Sequence, residues 1–381
     1  MQELFIDEHL RLSAYIYGSR FIPSRWRRFF PPDSGFPLTV TTPAGRFTIC
    51  RGAAGGKTAG RNRYCGRRSI MKHVILGAGG SIGNTLADEL LKQGQEVRLV
   101  SRSGFSMAGA ETLRGDLMSF DDMKAAVKGR DTAFLCAGLP YDRKIWAAGW
   151  PLIMKNAIDA CEAEDVNLVF FDNVYMYGRV EGKMTEETPY NPHGAKGEIR
   201  ANIAVMLEEA MKAGRVTALI ARAADLYGPH AGKTSIPYIM AIANLMKGKK
   251  AQWLVNVDTV HSYTYTLDCA RGLYLLVNRN ESWGRVWHLP TFSPPIDGKT
   301  FIELAAREIG VEAEYSVLKK WMMRAAGLLN QTVGEVHEML YQNEFDYWFD
   351  SSKFESFFNY RPVPYAEGIK ETVAFFRQAG S

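Results

Sequence analysis

From position 71 onward, short apolar runs alternate with segments whose apolar residues recur at helical spacing. Val74-Ile75-Leu76, Val97-Arg98-Leu99-Val100, Thr132-Ala133-Phe134-Leu135-Cys136, Leu168-Val169-Phe170-Phe171 and Val216-Thr217-Ala218-Leu219-Ile220 read as strands. Strands this continuously apolar are covered on both faces, and helices between them give a parallel, doubly wound sheet. Ile82, Leu86, Leu90 and Leu91 fall on one helical face, and Gly94 stands where that helix ends. Ser119 and Asp122 have the spacing of a helix start. Further helices are expected over 151–163, with Pro151 in the first turn, and over 197–213. Past Arg222 the alternation loosens into turns (Tyr227-Gly228-Pro229), a proline-rich stretch (Ser293-Pro294-Pro295) and a helix-rich, aromatic tail from Phe301 to Ser381. Trp321, Tyr341, Phe345, Tyr347, Trp348, Phe354, Phe357 and Phe358 are expected to pack this tail down. The expected organisation is α/β: a sheet domain over 71–225 and a smaller, mostly helical C-terminal lobe over 226–381, with the chain crossing back to the sheet.

The first strand runs into Gly77-Ala78-Gly79-Gly80-Ser81-Ile82-Gly83, and a helix leaves it. Strand, glycine turn and helix in that order form the cradle of a dinucleotide pyrophosphate in a Rossmann-type sheet. Gly77 permits the tight turn, Gly80 lets backbone approach phosphate, and Gly83 lets helix lie close on strand. The free N–H groups of Ser81, Ile82 and Gly83 at the helix start would face the anion. The second strand ends in Ser101-Arg102-Ser103, with no carboxylate for a ribose 2′-hydroxyl. Two hydroxyls and a guanidinium suit a 2′-phosphate instead, which points to NADP over NAD.

Composition and charge remove several function classes. The chain of 381 residues carries a formal net charge of +5. Residues 1–70 hold 12 basic and 4 acidic residues, so 71–381 hold 34 and 37, a balance of −3. The core therefore gives no electrostatic reason to expect nucleic acid. Segment 1–70 reads as a basic extension outside the fold. Met71 is then the natural start, with a basic targeting segment as the alternative. No apolar run approaches the roughly 20 residues that span a bilayer, so no membrane partner is expected. The five cysteines lack paired spacing, which argues against a zinc site or disulfide framework and suits a cytoplasmic protein. His261, His288 and Asp268 are too scattered for a metal site.

These features together resemble the extended short-chain dehydrogenase/reductase family, the NAD(P)-dependent epimerase/dehydratase group, over about 71–375. Gly77, Gly80 and Gly83 match its glycine motif; Gly115-Asp116-Leu117 resembles its adenine contact, and Ala137-Gly138 the segment beside the cofactor. Tyr177-Gly178, Arg222 to Tyr227-Gly228-Pro229, and Tyr265-Thr266-Leu267-Asp268-Cys269-Ala270 resemble its later landmarks. The resemblance implies a small-molecule carbonyl or alcohol substrate and a homodimer through helices 151–163 and 197–213. It also implies a catalytic Ser or Thr with Tyr-x-x-x-Lys, the lysine also binding the nicotinamide ribose. Here Asn173 stands at the Ser/Thr position, His193 at the tyrosine position, and Lys196 follows three residues later rather than four. Three readings stay open. His193 replaces the tyrosine as proton donor, with Asn173 holding a carbonyl oxygen. Tyr175 or Tyr177 supplies a phenol beside Lys196. Or the site holds cofactor without chemistry, as a redox sensor would. An NADP-dependent oxidoreductase is the leading expectation, with the sensor and a sugar-nucleotide-type epimerase or dehydratase as alternatives.

Overall fold

The computed structural model describes residues 38–42, 45–49, 70–232 and 234–379. The expectations for the N-terminal extension lie largely outside them. Residues 1–67 form a separate unit whose described part is an antiparallel pair, Leu38–Thr42 with Gly45–Ile49.

Residues 68–381 form the second unit. It is built on a seven-stranded, all-parallel sheet. Its strands are β1 (Lys72–Leu76), β2 (Glu96–Ser101), β3 (Glu111–Arg114), β4 (Thr132–Leu135), β5 (Asn167–Asp172), β6 (Ala218–Arg222) and β7 (Val286–His288), in the order β7-β6-β5-β4-β1-β2-β3. Strand order reverses at β1, where β2 and β4 flank it on opposite sides. This is the switch point beside which a dinucleotide lies in such sheets.

Helices cover both faces. On one side lie α2 (Phe120–Val127), α3 (Arg143–Glu164) and α4 (Gly194–Lys212), packed over Leu76, Leu135, Phe170 and Ile220. On the other lie α1 (Ser81–Lys92) and α5 (Thr266–Val277), over Ile75, Phe134, Val169 and Leu219. Adjacent residues of one strand thus enter opposite cores, which is why these strands are apolar throughout. After Arg222 the chain supplies α5, which packs on α1, and β7, which pairs with β6 at the sheet edge.

The main departure concerns α3. It begins at Arg143 rather than Pro151, capped by Asp142, whose carboxylate accepts from the Lys144 and Ile145 N–H groups at 2.8 and 3.0 Å. Pro151 sits mid-helix and removes one backbone hydrogen bond, a defect costing about 3 kcal/mol. The extra turns bury Trp146 and Trp150, and burying one large side chain returns roughly 1.5–3 kcal/mol. The smaller lobe has its own core of Tyr227, Trp253, Tyr263, Tyr265, Phe301 and Ile369. It includes α6 (Gly298–Ile309) and two short parallel strand pairs, Asp225–Tyr227 with Tyr263–Tyr265 and Ala251–Leu254 with Tyr315–Leu318.

Candidate functional site

The glycine turn sits at the carboxyl end of β1. Gly77 has φ +102°, and a Cβ there would lie 2.4 Å from the Ala137 Cα. Its N–H and that of Ala78 both donate to the Val100 carbonyl, at 3.0 and 2.9 Å. The turn is therefore pinned between β2 and the loop after β4. A Cβ at Gly83 would stand 3.0 Å from the Gly77 carbonyl oxygen, so Gly83 brings α1 against the turn. Gly80 has an extended φ of −89°, and a Cβ there would meet within the protein the Gly77 carbonyl oxygen at 3.6 Å, so that side of the turn is open. Gly79 is a second positive-φ residue of the turn, at φ +90°, and its N–H is taken by Asn84 Oδ1 at 2.9 Å. No side chain caps α1. An uncapped helix start leaves its first N–H groups and positive end for an anion. The residues present fit a dinucleotide pyrophosphate. The hydroxyl of Ser81 is within 2.7 Å of that of Thr234, which ties the helix start to the smaller lobe.

At the ribose end Ser101 is buried, and its hydroxyl accepts from the Phe105 N–H at 2.8 Å. That hydroxyl shapes the loop rather than standing free. Arg102 is exposed. Beside it, Arg114 at the end of β3 donates from Nε to the Arg102 carbonyl at 2.9 Å. Arg114 thus lies against the backbone of Arg102, a second guanidinium beside the one read from sequence. Arg114 became visible only through the β2–β3 pairing that sets Ser101 opposite it. Asp116 is exposed, and its carboxylate accepts from the Met118 N–H at 3.0 Å. Leu117 is buried, with its carbonyl accepting from Asn156 at 3.1 Å. Ala137 lies against Gly77, and Gly138 is exposed.

The residues singled out for chemistry separate into two groups. Tyr177 belongs to a buried network below the site. Its hydroxyl lies 2.7 Å from Arg222 Nη1 and 2.8 Å from His288 Nε2, with all three side chains at 0% exposure. Arg222 also reaches Asp172 at 3.5 Å and donates to Tyr190, while Arg200 Nε donates to Asp172 at 2.9 Å. Burial pushes the Tyr177 phenol up to about 12, against the opposing pull of Arg222. Its hydroxyl is committed to two buried partners, so in this structure Tyr177 holds the carboxyl end of the sheet and has no open path to a substrate.

Lys196 and Tyr175 lie in the second group. Lys196 is fully buried in the first turn of α4, and its ammonium sits 4.8 Å from the centre of the Tyr141 ring. Tyr141 and Tyr175 are within hydrogen-bonding reach of each other. Burial, and then the carboxylate of Asp225, push Tyr175 up to about 12; burial and the neighbouring Tyr175 push Tyr141 higher still. Both are neutral phenols at physiological pH, suited to donate a proton. Asn173 uses its carboxamide oxygen to accept from the Tyr175 N–H at 3.1 Å, leaving only its NH₂ to donate elsewhere. His193 is exposed at the N-cap of α4, without a side-chain cap bond, its ring 4.8 Å from that of Tyr341. Tyr141 escaped the sequence reading because it belongs to no motif there. Its one signal was its place in the loop after the β4 strand end.

Two carboxylates from the tail complete the site. Glu335, on α8 (Gln331–His337), pairs with the Lys196 ammonium; Glu338 reaches it at 3.2 Å and also accepts from the Lys196 N–H at 2.9 Å. Glu335 further accepts from the Arg143 N–H at 3.1 Å, and Gln331 donates to Asp142 at 2.6 Å. The tail segment thus closes on the starts of α3 and α4. Among the described residues no group of His, Cys, Asp or Glu could hold a metal ion. No helix among them is long and apolar enough to cross a membrane.

The family model described as the NAD dependent epimerase/dehydratase family matches residues 73–288. The chain is 23% identical over 333 residues to the sterol-4-alpha-carboxylate 3-dehydrogenase, decarboxylating, of Mus musculus, covering 80% of this chain and 91% of that one. It is 26% identical over 213 residues to the dTDP-4-dehydrorhamnose reductase of Mycolicibacterium smegmatis, covering 54% and 60%. Among solved structures, the UDP-glucuronic acid 4-epimerase of Bacillus cereus, in complex with UDP-glucuronic acid and NAD, superposes with a TM-score of 0.68 at 18% identity, over 81% of this chain and 100% of that one. A dTDP-glucose 4,6-dehydratase of Streptomyces venezuelae superposes with a TM-score of 0.65 at 17% identity, over 81% and 97%.

Proposed function

The chain belongs to the NAD dependent epimerase/dehydratase family, enzymes that work through a nicotinamide dinucleotide, and from that premise we propose that it is an NADP-dependent oxidoreductase acting on a carbonyl or alcohol. The observation that carries this reading is the meeting of Lys196, Tyr141 and Tyr175 at the carboxyl ends of the strands. Lys196 keeps the family's cation, and a phenol from a different loop stands beside it. A phenol next to an ammonium can protonate a carbonyl oxygen as it gains negative charge, and the cation favours the phenolate left behind. Asn173 would add an N–H donor to the same oxygen. His193, exposed and outside that cluster, is not required.

The bound dinucleotide would supply the hydride. Gly77, Gly80, Gly83 and the start of α1 would hold its pyrophosphate, and Arg102 with Arg114 the 2′-phosphate. That arginine pair supports NADP, whereas the Bacillus cereus epimerase was solved with NAD. Lys196 would have to exchange Glu335 and Glu338 for the nicotinamide ribose, so cofactor loading would loosen the tail segment.

The test is NADPH consumption across a panel of aldehydes, ketones and 4-keto sugar nucleotides. Tyr141→Phe should lower kcat by roughly 10²–10⁴-fold, the usual worth of a positioned acid, with the affinity for NADPH retained. Full turnover in Tyr141→Phe and in Lys196→Met would sink the proposal. Turnover of substrate with no net change in NADPH would instead favour an epimerase or dehydratase.

A further inference from the structure

The helix α7 (Lys320–Gly327) buries none of its residues. The sequence pattern expects Trp321 to pack inward; instead it is 71% exposed, with Leu328 at 85% and Leu329 at 94%. At 100° per residue, Leu328, Trp321, Ala325, Leu329 and Met322 fall on one continuous arc. The opposite arc carries Met323 and Gly327, and Gly327 packs on Gly334 of α8, where a Cβ would meet the Gly334 Cα at 2.9 Å. The apolar face therefore points away from the protein. It ends a hairpin whose base, through Gln331, Glu335 and Glu338, is fixed to the candidate site.

Charge selects the occupant of that face. From Tyr315 to Gly334 the chain has Lys319, Lys320 and Arg324 and no acidic residue, within a core whose overall balance is negative. Lys320 pairs with Glu344 at 2.5 Å. Lys319 and Arg324 make no ion pair among the described residues and flank the apolar arc. Exposed Trp and Leu beside unneutralised Lys and Arg match the interface of a bilayer, where the ring sits among headgroups and cations meet lipid phosphates.

We propose that this hairpin docks the protein peripherally on an anionic phospholipid surface, with Trp321, Leu328 and Leu329 inserted and Lys319 and Arg324 on the headgroups. This departs from the expectation of no membrane partner, which rested on the lack of a spanning segment. An interfacial helix needs no such segment. The proposal is independent of the reaction the site performs.

The test is sedimentation of the full chain with vesicles of phosphatidylcholine alone and of phosphatidylcholine mixed with phosphatidylserine. Binding should require phosphatidylserine and weaken with salt. Lys319→Gln with Arg324→Gln should weaken it roughly thirtyfold, about fivefold per cation. Trp321→Ser with Leu328→Ser and Leu329→Ser should abolish it while NADPH binding stays unchanged, which shows that the variant is folded. Brominated lipid should quench tryptophan emission in the wild type and less in Trp321→Phe. The basic segment 1–70 offers another route to anionic lipid, so vesicle binding that survives the triple serine variant overturns the proposal. So does a wild type that stays in the supernatant at every composition. So does a triple variant that only removes self-association in the absence of lipid.

Discussion

Replacing Tyr177 by Phe separates a buried structural phenol from a catalytic one. The hydroxyl is shared by the Arg222 guanidinium at 2.7 Å and the His288 imidazole at 2.8 Å. Deleting it leaves a buried, charged N–H donor and a ring nitrogen with no partner in place. Each orphaned buried group costs about 1–3 kcal/mol, more when charged, so the pair should cost about 2–4 kcal/mol. Arg222 keeps Tyr190 and the more distant Asp172, which holds the loss toward the lower end. At roughly 2–4 °C per kcal/mol for a domain of this size, Tm should fall by roughly 5–10 °C. Differential scanning calorimetry reads that shift, and NADPH titration reads the site. The affinity for NADPH should stay within about twofold, since the hydroxyl faces neither the glycine turn nor Lys196. An unchanged Tm together with collapsed turnover would refute this placement and return Tyr177 to the proton-transfer step.

The other expectations are narrower. Arg102→Ala should weaken NADPH about two- to fivefold and leave NADH unchanged, because one charge-assisted contact at an exposed site is worth about 0.5–1 kcal/mol; fluorescence titration of both cofactors checks this, and equal losses would remove the 2′-phosphate reading. Gly77→Ala should abolish dinucleotide binding, since its Cβ would lie 2.4 Å from the Ala137 backbone; isothermal titration decides it, and wild-type affinity would show the turn to be softer than its contacts. Burial lowers His73 to about 4 and His288 to about 3. The unfolded chain therefore takes up protons first as pH falls below about 6.5, and stability from these groups is present above that value and lost on acidification. Their joint slope approaches about 2.7 kcal/mol per pH unit between pH 6 and 4.5. Burial raises Asp268 to about 6, which works in the opposite sense between about pH 4 and 6 and offsets part of the slope. His73→Leu should flatten urea-denaturation stability against pH by up to half, and an unchanged profile would contradict the assignment.

The sheet was legible because its signals are local. A strand buried on both faces is apolar at nearly every position, and β1, β2, β4, β5 and β6 each carry that signature within a residue or two of their ends, Arg98 in β2 being an exception. The glycine turn was legible for the same reason, because strand, turn and helix are contiguous. Gly79 shows the limit, since the glycine spacing alone does not reveal that Gly79 as well as Gly77 takes a positive φ. The start of α3 was missed because Pro151 is a strong first-turn signal, and the burial of Trp146 and Trp150 that overrides it is tertiary. Arg114 was missed because it reaches Arg102 only through strand pairing.

The same distinction explains why the motif comparison left the chemistry unresolved. Alignment asks which residue occupies the tyrosine position of Tyr-x-x-x-Lys, and the answer is His193, an exposed cap residue. Geometry asks which phenol an ammonium at Lys196 can reach, and the answer is Tyr141, 55 residues earlier in the chain. Lys196 is also buried by Glu335 and Glu338, which come from well over a hundred residues later. Removing those carboxylates would leave the buried Lys196 ammonium without compensation, at a cost of several kcal/mol. A ligand that displaces the carboxylates must therefore offer Lys196 comparable hydrogen bonds. A ribose diol does so without negative charge, so exchange depends on the freed carboxylates regaining water as the tail segment moves. Cofactor affinity in Glu335→Gln should accordingly rise if the carboxylate competes with the ribose, and fall if it only holds Lys196 in place. Measuring NADPH binding to that variant tells which of the two the tail contributes.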